Sequence, residues 1–148
     1  MKFIHLSDLH IGKHLYHYNM KEDQEHILEE VIGYTEKLRP DAVVIAGDIY
    51  DKSVPSAEAV AVFDDFLTRL SSVSPQVSIL IIAGNHDSPD RVDSPDVLAR
   101  QHGIFFVGSP KVHFNSTVTD GGIELSRSEE GISEFRLPGY EYPLRVMH

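Results

Sequence analysis

Short apolar runs, each ending in a polar cluster, set the pattern of this chain. Lys2 to Ser7 reads as a short strand that closes on Ser7-Asp8-Leu9-His10. Gly12 to Met20 is a loop rich in His and Tyr. From about Lys21 to Leu38, Ile27, Leu28, Val31, Ile32, Tyr34 and Leu38 recur at helical spacing, and Pro40 stops the helix. Ala42 to Ala46 is apolar throughout, as a strand buried on both faces would be, and it runs into Gly47-Asp48-Ile49-Tyr50-Asp51. Ser56 can cap a second helix with Ala59, Val60, Phe63, Phe66, Leu67 and Leu70 on its apolar face. Val77 to Ala83 is a third strand, ending in Gly84-Asn85-His86-Asp87. A short helix is expected after Pro95, ending near Gly103, and a fourth strand over Ile104 to Val107.

Beyond Gly108 the segments are short and alternating. Lys111 to Phe114, Gly122 to Leu125 and Glu134 to Leu137 are separated by Gly, Ser and Asp and read as antiparallel hairpins. The fold class is therefore α/β: a mainly parallel sheet with flanking helices, then antiparallel hairpins. The carboxyl ends of parallel strands line one edge of such a sheet, where ligands bind. Asp8 and His10, then Asp48, then Asn85 and His86 are expected to converge there. Asp8 and His10 stand two apart, so on an extended backbone they point the same way, giving a carboxylate and an imidazole to one ion. Asp48 follows Gly47, which allows a sharp turn, and its two oxygens can bridge ions about 3.5–4 Å apart. Asn85 offers a neutral amide oxygen to a second ion. His86, displaced to the other side of the backbone, is better placed to touch substrate.

Composition changes this picture in three places. The 148 residues, 41% hydrophobic and 24% charged, fit one domain or a large piece of one. Cysteine is absent, so any metal must be held by oxygen and imidazole. The formal charge of −10 argues against a tight grip on nucleic acid by this segment alone, although carboxylates that hold cations are neutralised in a loaded site. No apolar run reaches membrane-spanning length and the N-terminus lacks a signal-peptide layout, which points to the cytoplasm and to no membrane partner.

An Asp at one strand end is ordinarily a turn former or a cap. Three such clusters at three successive strand ends favour a site. As they stand, Asp8-Leu9-His10, Gly47-Asp48-Ile49-Tyr50-Asp51 and Gly84-Asn85-His86-Asp87 resemble the motifs of the calcineurin-like metallophosphoesterases. The finer resemblance is to the nuclease subunits of SbcCD-type DNA repair complexes. It rests on Phe3 to Lys13, Ala46 to Ser56 and Ala83 to Pro89, with the pair Asp23-Gln24, and it thins beyond Gly108.

That resemblance implies a calcineurin-like fold and a metal-dependent DNA exonuclease or endonuclease. Two divalent ions, of which Mn²⁺ suits the donors, would be held by Asp8, His10, Asp48 and Asn85, with Asp48 bridging. His86 would protonate the leaving oxygen and Asp51 would orient that histidine. The implied partners are DNA and the ATPase subunit SbcC, in a heterotetramer built on a homodimer. Lys13, His14, Tyr16 and His17, basic and aromatic in one loop, are candidate DNA contacts. The pattern's further single His and its G-H-x-H motif are not found in these 148 residues. The expectation is therefore an N-terminal portion of the domain, weak or inactive by itself. Rival readings are a phosphodiesterase or phosphatase for small substrates, and an inactive assembly module.

Overall fold

A computed structural model describes residues 1–73, 75–92, 97–109, 113–129 and 131–147. In chain order the elements are β1 (Phe3–Leu6), β2 (His14–Leu15), β3 (Tyr18–Asn19), α1 (Lys21–Leu38), β4 (Ala42–Ala46), α2 (Ala57–Ser71), β5 (Ser78–Ile82), α3 (Pro89–Val92), α4 (Val97–Gln101), β6 (Ile104–Val107), β7 (Thr117–Val118), β8 (Glu124–Glu129), β9 (Ile132–Arg136) and β10 (Leu144–Met147). Strands β1-β4-β5-β6 form a parallel sheet in that order. Strands β10-β9-β8-β7 form an antiparallel one.

The two-residue period of the apolar strands sorts their side chains between two cores. Val43, Ile45, Ile79, Ile81 and Ile104 pack with Leu28 and Ile32 of α1 and Phe63, Phe66 and Leu70 of α2. Their neighbours Ala42, Leu80, Phe105 and Val107 point the other way, onto Phe114, Ile123, Leu125, Phe135 and Leu137. The parallel sheet is thus the middle layer between helices and the second sheet. Each fully buried Phe or Ile contributes about 1.5–3 kcal/mol.

Helix boundaries follow local chemistry. The Ser56 hydroxyl accepts from the Ala59 N–H at the start of α2. Helix α1 ends at Arg39, left-handed at φ 47, just before Pro40. No helix among the described residues is long and apolar enough to cross a membrane.

Three expectations change. The loop from Gly12 to Met20 contains the small β2–β3 hairpin, turning at Tyr16-His17. A strand over Lys111 to Phe114 does not form at His113 and Phe114, and Lys111 and Val112 lie outside the described residues. Strands β7 and β10 stand where none was expected. Strand β7 is only two residues long, and β10 is half-exposed and marked by an edge pattern rather than by a strong apolar run. The helix expected after Pro95 is α4, and α3 precedes it.

Candidate metal centre

At the carboxyl edge of the parallel sheet the loops after β1 and β4 lock together through their backbones, and the loop after β5 joins them through the Asp48 and Asp87 carboxylates. The Asp8 N–H donates to the Gly47 carbonyl at 3.1 Å, and His10 N–H to the Asp48 carbonyl at 3.0 Å. Ile11 N–H continues the ladder to Ile49 at 2.9 Å. The convergence does not arise from an extended backbone, as the two-residue spacing suggested. Strand β1 ends at Leu6, and Asp8, His10 and Asp48 are left-handed, at φ 56, 43 and 50. Non-glycine residues held there cost free energy, and such strain clusters at functional sites.

The result is a compact set of donors. The ligand atoms of Asp8, His10 and Asp48 all lie within 4.8 Å of one another. His10 Nε2 is 3.9 Å from Asp8 Oδ1 and 3.9 Å from Asp48 Oδ2. Those gaps are too long for hydrogen bonds, yet two atoms each about 2.1 Å from a shared cation can lie up to about 4.2 Å apart. Among the described residues no Lys or Arg pairs with Asp8 or Asp48. Two carboxylates and an imidazole without a nearby cation fit a divalent ion. Asp8 has 68% of its side chain exposed, so the site is open to solvent.

Asn85 and His86 belong to the same edge. His86 N–H donates to Asp48 Oδ1 at 2.9 Å. A Cβ on Gly84 would lie 2.2 Å from both Asp48 N and Asp48 Oδ1, so only glycine permits this approach. Asn85, exposed, sits between these two contacts. The His86 ring meets His10 edge-on, with centroids 4.9 Å apart, so it stays beside the trio rather than turning away from it. Its Nδ1 bonds the Asp51 backbone carbonyl at 3.2 Å. The expectation that the Asp51 carboxylate orients His86 is therefore corrected: that carboxylate faces His10, with Asp51 Oδ1 3.7 Å from His10 Nδ1. The carbonyl and the carboxylate of Asp51 thus face different histidines, which a motif cannot reveal.

Gly84→Ala tests the close approach. The added methyl must push Asp48 aside, at a cost of about 1–3 kcal/mol of stability, with weaker cation binding. Urea denaturation and a Mn²⁺ titration check both effects, and unchanged values in both would show that the loops have slack.

Two residues that the sequence motifs include without a role turn out to support the site. Asp87, 6% exposed, accepts from Ile49 N–H and Gly84 N–H through Oδ2 and from Tyr50 N–H through Oδ1. The Gln24 amide donates to the Leu9 and His10 carbonyls and accepts from Gly12 N–H. The available signal for Gln24 was its place in the pair Asp23-Gln24, since its own surroundings from Lys21 to His26 are polar throughout. Burial first, then the Asp64 and Asp87 carboxylates, hold the Tyr50 phenol well above its usual range, so it stays neutral and serves as a wall.

The candidate DNA-contact residues form the β2–β3 hairpin. Lys13, His14, Tyr16 and His17 are all exposed, Tyr16 at 94%. The Asp23 carboxylate near Tyr18 raises that phenol's pKa.

Residues 1–137 match the calcineurin-like phosphoesterase family. The chain is also 40% identical over 93 residues to a protein from Staphylococcus epidermidis that is named as the D component of the SbcCD nuclease. That alignment covers 63% of this chain and 25% of the relative, so the chain spans about a quarter of the length of the curated relative it matches. With the family matched along most of its length and three loops that gather Asp8, His10 and Asp48 at one sheet edge, this chain belongs to the calcineurin-like phosphoesterases.

Proposed function

We propose that this chain carries part of the metal centre of a DNA nuclease, the nuclease subunit of an SbcCD-type complex. The observation that carries the reading is the Asp8–His10–Asp48 trio, with His86 tethered to Asp48 beside it. The 40% identity to a nuclease component supports DNA, rather than a small phosphoester, as substrate. Bound divalent ions, Mn²⁺ by the preference of oxygen and imidazole donors, would clamp a phosphate and acidify water. Asp8, His10 and Asp48 would hold the first ion, and Asp48 with Asn85 would contribute to a second. His86 gives a proton to the departing oxygen. The exposed hairpin bearing Lys13, His14, Tyr16 and His17 touches the DNA backbone and stacks on unpaired bases. The partners on this reading are the ATPase subunit SbcC and a second copy of the nuclease chain, in the cytoplasm.

Calorimetric titration with Mn²⁺, paired with cleavage of double-stranded DNA by the intact nuclease, tests the proposal. Loss of a partner behind a metal ligand typically costs 10–100-fold in affinity, so removing a ligand outright in Asp48→Ala should cost at least about 100-fold. Equal Mn²⁺ affinity in wild type and variant would end the metal-site reading. Turnover of small phosphodiesters with intact DNA would end the nuclease one.

A further inference from the structure

Between His10 and His86 sits one residue that reaches both. Asp51 is fixed by its own N–H, which donates to the Ile11 carbonyl at 3.2 Å. Its carbonyl receives His86 Nδ1 at 3.2 Å, and its carboxylate stands 3.7 Å from His10 Nδ1. That His10 nitrogen is buried and has no hydrogen-bond partner. The opposite nitrogen of the same ring faces Asp8 and Asp48.

We infer that the Asp51 carboxylate is the positioning residue for His10, and that its backbone carbonyl, not its side chain, serves His86. The inference rests on the metal-site reading and adds to it a division of labour within one residue. A neutral imidazole carries one proton, so the group facing one nitrogen decides which nitrogen keeps a lone pair. A carboxylate only accepts, so it draws the proton to Nδ1 of His10 and leaves the lone pair on Nε2, which faces the trio. A histidine that holds a cation almost always donates its other N–H to a carboxylate, carbonyl or water. At 3.7 Å the Asp51 carboxylate is the acidic group nearest to this otherwise unpartnered nitrogen among the described residues. Both side chains are mostly covered, His10 at 19% and Asp51 at 24% exposed, so water competes poorly for that nitrogen.

The arrangement separates the two histidines experimentally, because Asp51→Ala removes the carboxylate and keeps the carbonyl. The tautomers are read by long-range ¹⁵N NMR of the imidazoles in the metal-free chain, at about pH 8.5, above the ordinary imidazole range. Wild type should show His10 protonated at Nδ1. In Asp51→Ala, His10 should shift to a mixture while His86 keeps its pattern, and Mn²⁺ affinity should fall about 10–100-fold. Asp51→Asn, whose amide oxygen still accepts from Nδ1–H, should restore most of the His10 pattern and of the affinity. A change in His86 with His10 untouched would overturn the inference, as would an unaltered His10 tautomer in Asp51→Ala. If wild type binds no Mn²⁺ at all, the metal reading fails by itself, and the His10 tautomer still decides the pairing with Asp51.

Discussion

His86→Ala in the intact nuclease should lower phosphodiester turnover about 10²–10⁴-fold, the usual worth of a general acid, and leave Mn²⁺ affinity nearly unchanged. The expectation combines two contacts of one residue. Through its backbone, His86 N–H holds Asp48 Oδ1 at 2.9 Å, and alanine keeps that hydrogen bond. Asp48 therefore stays oriented toward Asp8 and His10. The imidazole itself lies outside the trio of donors, edge-on to His10 and exposed to an incoming phosphate. Its Nδ1 bonds the Asp51 carbonyl, a partner that can only accept, so Nδ1 donates there and Nε2 is the nitrogen left to face a leaving oxygen. Single-turnover cleavage and calorimetry on the same preparations separate the two roles. Loss of one bound ion in the variant would make His86 a ligand, and turnover within about threefold of wild type would leave it a bystander in a reaction where an acid is worth at least about a hundredfold.

What could be read from the chain beforehand was the part that repeats a simple physical rule. The apolar strands β4 and β5 had to be central because they carry no polar face, while half-exposed β1 took the edge, and the three ends had to lie together because the strands are parallel. That was enough to bring Asp8, His10 and Asp48 together. Gly47 was legible too, and its φ of 89 is the turn that its position predicted. The route by which the loops meet was not legible. Left-handed Asp8, His10 and Asp48 break the extended-strand geometry, and although Asp and His tolerate a positive φ better than most residues, their presence does not say which of them adopts it. Asp51 was expected to meet His86 with its carboxylate and meets it with its backbone carbonyl, a difference of local backbone direction that residue spacing does not carry. The later strands were hard because they are short or half-exposed, so their pairing depends on the sheet they join.

Asp87→Ala should be the most destabilising single change at this edge, and it should weaken metal binding without touching a metal ligand. Asp87 is the last residue of the Gly84-Asn85-His86-Asp87 run, and it faces inward. Its two oxygens take three backbone N–H groups, at 3.0 Å from Ile49, 3.0 Å from Tyr50 and 2.8 Å from Gly84. Two of these lie just after Asp48 and one just before Asn85, so a single carboxylate pins the two loops that carry both residues. Hydrogen bonds to a charged acceptor are worth about 1.5–3 kcal/mol each. Three at one atom pair are not additive, and water entering the gap would recover some of the loss, so the expected cost is about 3–5 kcal/mol. Against a typical stability of about 5–15 kcal/mol, that is a large share. Asp87→Asn should fall between, because the amide oxygen still accepts while the amide nitrogen meets an N–H head-on. Urea midpoints should rank wild type above Asp87→Asn above Asp87→Ala, with Mn²⁺ affinity in the same order. The two measurements must move together if the carboxylate acts by holding the loops. A variant that keeps its Mn²⁺ affinity while losing stability would place Asp87 in the fold alone, and one that loses less than about 1 kcal/mol would show that the three N–H groups find water as readily as they find Asp87.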